Sequence, residues 1–198
     1  MEGGAAEKLS EQGLRPEHWS LDSRTVLWNR VESTDLETIL LFDLSSKAFA
    51  LLLKEAGHTL HSPYFSPDDR WITFHMTLGT ASRRIYVAPF HGPAEIPSRE
   101  WIAITGGGEL DREPRWSPDG NLLYFLSERD GFRCVWAQRL EPAAKRPGGT
   151  PFPVYHSHMA RRLIGGVSDT NAAGLSVAPG KLVFSATETT GNIWMLKF

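Results

Sequence analysis

The stretch Trp-Ser-Pro-Asp-Gly-Asn-Leu-Leu-Tyr-Phe, residues 116–125, decides how this 198-residue chain folds. Proline presets the backbone for the first corner of a tight turn, aspartate bonds to nearby backbone amides, and glycine tolerates a positive φ angle. The apolar run that follows is dense in leucine and aromatic residues, which is typical of a strand buried on both faces. The stretch therefore predicts a short strand, a turn and a second, buried strand.

The same pattern occurs in four copies along the chain. A second clear copy, residues 65–74, reads Phe-Ser-Pro-Asp-Asp-Arg-Trp-Ile-Thr-Phe, and more degenerate copies begin at Trp19 and Ser176. A repeat of strands and turns with a period of about fifty residues is typical of propeller blades. We therefore predict an all-β fold, a β-propeller with about four blades of four antiparallel strands each, either a closed small ring or part of a larger propeller. The copies end at Trp28, Phe74, Phe125 and Phe184.

The third copy predicts the strands of one blade. We expect an innermost strand at residues 113–117, followed by strands at 121–127 and 132–140. Residues 141–150 are rich in proline and glycine and are expected to form a loop. The last strand, at residues 152–155, is expected at the sheet edge, because Pro151 and Pro153 cannot donate hydrogen bonds to a neighbouring strand.

The two outer copies and the chain ends depart from this plan. Leu21 stands at the position of the turn proline in the first copy, and the fourth turn is shortened to residues 178–180. After the fourth copy the sequence leaves room for only three strands, so a strand within residues 1–14 could close the ring; the alternatives are part of a larger propeller, or two chains that complete one ring. The predicted blades span about residues 15–60, 61–110, 111–160 and 161–198.

The composition excludes several classes of protein. Hydrophobic residues make up 41% of the chain and charged residues 22%, as in ordinary globular proteins. A net charge of −2 offers no basic surface, so we expect neither nucleic acid nor a membrane as a partner. No signal peptide is visible at the start of the sequence, and no apolar run is long enough to span a membrane. Cys134 is the single cysteine, so no disulfide forms within the chain.

The third copy also carries a family resemblance. Its turn at residues 117–120, the segment Ser-Glu-Arg-Asp-Gly at 127–131 and the pair Val135-Trp136 resemble the WD40-like PD40 repeat of bacterial TolB-type β-propellers. Residues 191–195 are similar to blade endings in that group. The resemblance implies a protein-binding platform in the periplasm, or an accessory domain beside a prolyl-oligopeptidase-type hydrolase or a protein kinase. It implies no catalytic residue, because the repeat motif is structural.

No segment has the pattern of a catalytic or cofactor site. Residues 166–168 and 174–176 begin like a nucleophile elbow but lack its closing glycine and its helix. The glycine triplet at residues 106–108 lacks the lysine and hydroxyl residue of a phosphate-binding loop and is better explained as a turn between blades. We therefore expect no enzyme activity and no cofactor.

Histidines and aspartates are the candidate metal ligands. His156 and His158 would face the same side of a strand, and His58 lies three residues from His61. Structural zinc needs about four ligands, and the sequence places no cysteine or third histidine beside either pair, although distant residues could converge. We expect surface histidines and no metal site. The aspartates lie in predicted turns, where bonds to the backbone explain them: Asp68, Asp69, Asp119 and Asp130.

The best candidate for a partner-binding element is the long loop at residues 156–172, which contains His156, His158, Arg161 and Arg162. Long loops on a rigid scaffold often carry function. Our leading hypothesis is a non-catalytic scaffold that binds a protein or peptide, and self-association could complete its ring. The first alternative is an accessory or gating domain of a larger enzyme. The second is a small enzyme acting on sugars or lactones, which requires carboxylates or histidines that converge on the ring axis.

Overall fold

The computed structural model describes residues 8–9, 14–33, 36–80, 82–156, 158, 162–165, 174–188, 190 and 195. These residues form three four-stranded antiparallel sheets and two short strand pairs. The predicted all-β fold of four-stranded blades is confirmed for these three sheets. No helix in the described part of the chain has the length and apolar character of a membrane span.

Each sheet is a simple antiparallel meander, in which strands adjacent in sequence pair with each other. The first sheet comprises β1 (Leu14–Trp19), β2 (Thr25–Ser33), β3 (Leu36–Asp43) and β4 (Ala48–Leu53). The second comprises β5 (Thr59–Phe65), β6 (Trp71–Gly79), β7 (Ser82–Pro89) and β8 (Ile102–Ala103), with a 3-10 turn at Ser98–Glu100 before its last strand. The third comprises β9 (Arg112–Trp116), β10 (Leu122–Ser127), β11 (Cys134–Leu140) and β12 (Pro147–Tyr155).

The third sheet follows the predicted order of strands but differs in the extent of the last one. Strand β12 begins at Pro147, inside the segment expected to be a loop. Gly148 pairs there with Arg139, and Gln138 supports the pairing by donating from its amide to the carbonyl oxygen of Gly148 at 3.1 Å. The prolines of β12 are tolerated because the strand forms the edge of the sheet.

Apolar side chains from facing sheets form the cores between blades. Leu27 and Ile39 of the first sheet pack with Ile72 and Phe74 of the second. A separate core joins the second and third sheets, and a third core joins the third sheet to residues of the fourth copy, among them Ile164. Full burial of such side chains contributes about 1.5–3 kcal/mol each. The repeat therefore stabilises itself by burying one blade against the next.

The turn after each first strand has the same hydrogen bonds in all three sheets. In the third sheet the Ser117 hydroxyl donates to Asp119 at 2.5 Å and accepts from the Leu122 amide at 2.8 Å. The corresponding hydroxyl-to-aspartate distances are 2.6 Å from Ser66 and 2.8 Å from Ser20. The first copy therefore forms the turn although it lacks the proline.

The fourth copy is described only in part. Strands β13 (Arg162–Ile164), β14 (Ser176–Ala178), β15 (Lys181–Val183) and β16 (Ala186–Glu188) form two pairs, β13 with β16 and β14 with β15. The shortened turn at residues 179–180 joins β14 to β15, as its sequence predicts. Most of the expected ring-closing strand lies outside the described residues. Leu9, which is described, packs against the core of the first sheet that contains Trp28.

Candidate functional site

The first strands of the three sheets meet one another, since β5 contacts both β1 and β9. Each of these strands departs from regular pairing at a similar position. The pairing register shifts between Pro16 and His18 in β1 and between His61 and Tyr64 in β5. In β9 it shifts between Arg112 and Arg115, which pair with Leu126 and Tyr124 of β10. Bulges of this kind redirect side chains and are frequent beside functional sites.

The bulges line a cavity of 420 Å³, which we call the inner-strand cavity. Every residue that lines it belongs to the first strand of one of the three sheets. Two arginines, two glutamates and a histidine are among them, so the cavity carries charges of both signs. Its lining residues are Arg15, Pro16, Glu17, His61, Ser62, Glu113 and Arg115.

Contacts with Leu175 and with Tyr64 hold Arg115 in place. Its Nε donates to the carbonyl oxygen of Leu175 at 2.8 Å, and its guanidinium carbon lies 4.6 Å from the centre of the Tyr64 ring. His18 stacks on the same tyrosine with ring centres 3.5 Å apart. Burial lowers the pKa of Arg115, but a guanidinium stays protonated in proteins. The cavity therefore has a fixed positive charge beside an aromatic surface.

Glu17 is the acidic group most open to a ligand. Burial raises the pKa of its carboxyl group, against the opposing charges of Arg15 and Arg115. No described residue forms a hydrogen bond or an ion pair with this carboxylate. Glu37 provides the contrast, because it lies 2.8 Å from Arg15 and 3.0 Å from His61. These two partners outweigh the effect of burial on Glu37 and lower the pKa of its carboxyl group.

His75 lies behind the cavity wall on β6. Its ring stacks on His61 with centres 5.1 Å apart, and it is fully buried. No described residue hydrogen-bonds to either of its ring nitrogens. Burial holds the pKa of His75 well below its usual value, so the ring is neutral.

The histidines predicted to bind a partner lie at the opposite edge of the third sheet. His156 directly follows β12, and His158 lies two residues beyond. Cys134 is more than 20 residues from this pair in the sequence, and the fold brings it beside them. Asp130, Cys134, His156 and His158 offer ligand atoms that all lie within 4.8 Å of one another. We call these four residues the edge cluster.

Hydrogen bonds and ring contacts organise the edge cluster. Nε2 of both histidines lies within hydrogen-bond distance of one carboxylate oxygen of Asp130, at 3.0 Å for His158. Burial raises the pKa of Asp130, but the two histidines outweigh it and lower that pKa to about 2. Phe132 stacks on His158 with ring centres 4.6 Å apart. Asp130 accepts from the Phe132 amide at 3.4 Å within its turn, as predicted, and has the two histidines as further partners beyond the turn.

The other predicted residues do not join this cluster within the described part of the chain. Arg161 lies outside the described residues, and Arg162 belongs to β13 but its side chain lies outside the description. The other histidine pair is divided, since His58 donates to the Thr77 carbonyl at 3.1 Å while His61 lies in the inner-strand cavity. One feature of the sequence indicated the edge cluster: the third and fourth strands of this blade were predicted to be neighbours in the sheet.

No family model matches the chain, and no curated protein matches it. Solved structures do match: TolB from Acinetobacter baumannii aligns with a TM-score of 0.58 and 21% identity, over 77% of this chain and 35% of that one. An oligogalacturonate lyase in complex with manganese gives a TM-score of 0.60 and 18% identity, over 90% of this chain and 49% of that one. A chain from a study of two prolyl endopeptidases gives a TM-score of 0.56 and 14% identity, over 87% of this chain and 24% of that one.

These similarities show the fold, and they confirm the predicted propeller. The chain spans about a quarter to a half of the length of each of these three structures. Its sheets therefore correspond to part of larger propellers.

Proposed function

We propose that the chain is a non-catalytic propeller module of PD40 type that binds a peptide segment of a partner protein in the inner-strand cavity. The supporting observation is that charged side chains from three separate sheets line one cavity. Burying a charge costs free energy unless a partner compensates it. A cavity needed only for packing would be filled with apolar side chains, as the cores between the blades are.

The charges of the cavity suit a ligand that carries both signs. Arg115 offers its guanidinium to a carboxylate, and Glu17 accepts an ammonium or guanidinium group. Tyr64, which stacks against Arg115, adds an aromatic surface beside the cavity. A volume of 420 Å³ lies within the range of about 300–1,000 Å³ that ligand pockets occupy. A short peptide segment with acidic and basic side chains meets all of these requirements.

The proposal is tested with a random peptide display library selected on the purified protein. Selected peptides are then titrated calorimetrically against the wild type, Glu17→Gln and Arg115→Gln. Each substitution removes a charged contact, so we expect binding about 10-fold weaker or more. Glu95→Gln and Arg24→Gln, at exposed sites away from the cavity, are the matched controls and should bind as the wild type does. Equal affinity for all five proteins would overturn the proposal.

The same experiment separates binding from catalysis. Glu17, Glu113 and His61 line one cavity, which supports the alternative of a small enzyme with carboxylates or histidines that converge on the ring axis. For a binding module, mass spectrometry after prolonged incubation should recover the bound peptide unchanged. Cleaved peptide, or turnover of sugar or lactone substrates that is lost in Glu17→Gln, would favour the small-enzyme hypothesis.

The second candidate function is that of an accessory or gating domain of a larger enzyme. It is favoured by the match to the chain from the study of prolyl endopeptidases, of which this chain covers 24%. The cavity would then hold part of a substrate for an adjoining catalytic domain. Reading the coding sequence on both sides discriminates, because a continuous hydrolase or kinase domain would favour this function.

A further inference from the structure

The edge cluster brings together side chains from three segments of the third sheet. Val135 pairs with Tyr155, so their neighbours Cys134 and His156 face the same side of the sheet. His158 follows two residues later, and Asp130 lies in the turn between β10 and β11. Cys134 is fully buried beneath the cluster, whereas both histidine side chains are nearly half exposed. The cluster therefore has a buried sulfur and an accessible outer side.

The ligand atoms of the cluster lie close enough together to surround one metal ion once the histidine and aspartate side chains move slightly apart. Nε2 of His156 lies 2.9 Å from Nε2 of His158, which in turn lies 3.0 Å from the Asp130 carboxylate. Two ligands bound to one tetrahedral zinc ion at about 2.0–2.1 Å are about 3.3 Å apart. Two imidazole nitrogens and a carboxylate oxygen repel one another unless protons or a cation lie between them. A divalent ion between these three atoms would remove the repulsion, and the Cys134 sulfur lies within 4.8 Å of each of them.

We propose that Asp130, Cys134, His156 and His158 form a zinc site. Their donors are one thiolate, two imidazoles and one carboxylate, which are the ligand types that zinc accepts. Calcium and magnesium prefer oxygen ligands throughout and are disfavoured by this set. Four protein ligands complete a tetrahedral shell, so the site is structural and leaves no open position for substrate.

Zinc at this position joins the third blade to the segment that leads into the fourth copy. The ion connects the β10–β11 turn and the start of β11 to the residues that follow β12. Phe132 and Trp136 contact the two histidine rings and restrict their orientation. The site lies on the outer strands of the sheet, whereas the inner-strand cavity lies on the first strands. It is therefore independent of the proposed peptide binding.

The test measures metal content and coordination directly. Protein is prepared metal-free with a chelator, loaded with zinc, freed of excess metal and analysed by mass spectrometry of the metal. We expect zinc equimolar with the chain and a higher thermal midpoint in the loaded form. Loading with cobalt instead should give the intense visible bands of tetrahedral coordination and a thiolate charge-transfer band, which reports on Cys134.

Substitutions decide whether the four residues hold the ion. In His158→Ala and Cys134→Ser we expect zinc affinity to fall by more than about 100-fold, because even changes outside the ligand shell cost about 10–100-fold. His91→Ala, at another exposed histidine, is the matched control and should bind as the wild type does. His158 is half exposed, so its variant remains informative if Cys134→Ser fails to fold. Absence of equimolar zinc, absence of the charge-transfer band, or equal affinity in His158→Ala and His91→Ala would overturn the proposal.

Discussion

In the three described sheets, each first strand contains a bulge and is followed by a turn. The turn has the same serine and aspartate in each sheet, whereas the side chains of the bulge differ. The turns are alike, since Ser20, Ser66 and Ser117 each bond to an aspartate two residues later. The bulges present different side chains at equivalent positions. The residue before the aromatic that opens each copy is His18 in the first sheet, Tyr64 in the second and Arg115 in the third.

This difference separates the residues that build the scaffold from those that give it chemistry. A turn must satisfy the same backbone groups in every blade, so the same hydroxyl and carboxylate recur. A bulge directs its side chains into the space where the three sheets meet, and there each copy faces different neighbours. The comparison predicts that changes in the turns alter stability, whereas changes at or beside the bulges alter ligand binding or the response to pH.

The largest expected effect is the loss of a turn hydroxyl. Ser117→Ala removes a buried hydroxyl that accepts from the Leu122 amide, which should destabilise the protein by about 2 kcal/mol. Ser66→Ala should cost a similar amount, because Ser66 accepts from the Trp71 amide at 3.0 Å. Urea denaturation measures both, with Ser98→Ala at an exposed site as the control. A loss no greater than in the control would show that the hydroxyl does not determine the turn.

The next effect is a loss of stability in acid caused by histidines near the bulges. Burial, then the charge of Arg115, lowers the pKa of His18 to about 4 from 6.5, and burial holds the pKa of His75 well below 6.5. The unfolded chain therefore takes up protons first, so the free energy of unfolding falls as pH decreases from 6.5 towards 4. His75→Leu should flatten this dependence in denaturation series across that range. An unchanged slope would mean that other groups cause it.

A smaller effect is expected at the left-handed position of the turn. Ser23 has a φ of 58° and its counterpart Gly120 a φ of 68°. A left-handed backbone conformation costs a residue with a side chain about 1–2 kcal/mol. Glycine avoids this cost, but it loses more conformational entropy on folding, which offsets about 0.5–1 kcal/mol of the advantage. Ser23→Gly should therefore stabilise by about 0.5 kcal/mol, and Gly120→Ser should destabilise by a similar amount. Thermal unfolding of the pair checks this, and shifts of the same sign would contradict it.

The smallest expected change in stability is that of Glu17→Gln. Burial raises the pKa of Glu17, so ionising this carboxyl group costs more free energy in the folded protein than in the unfolded chain, and removing the charge should not destabilise. The same substitution should weaken peptide binding, as proposed above. Urea denaturation at neutral pH compares Glu17→Gln with Ser117→Ala. Strong destabilisation by Glu17→Gln would place Glu17 with the scaffold and remove the distinction between turn and bulge.

Several features of the fold could be predicted because they depend on neighbouring residues. The turns, the order of the strands in the third blade and the edge position of β12 all follow from local sequence. Strand β12 begins at Pro147, earlier than predicted, because its glycines and prolines indicate a loop unless the pairing with β11 is known. The cavity and the edge cluster were not predicted, since their members are far apart in sequence: Arg115 bonds to Leu175, 60 residues away, and Asp130 meets His156, 26 residues away.

The sequence by itself determined that this protein is built from repeated antiparallel blades, because periodic strands and turns are encoded within each stretch of about fifty residues. Only the tertiary structure decided which charged side chains face one another. The packing of three sheets brought Glu17 and Arg115 to one cavity, and the register of β11 with β12 brought Cys134 beside His156. Such contacts depend on strand register and on the packing of one blade against the next, and the sequence pattern within one copy determines neither.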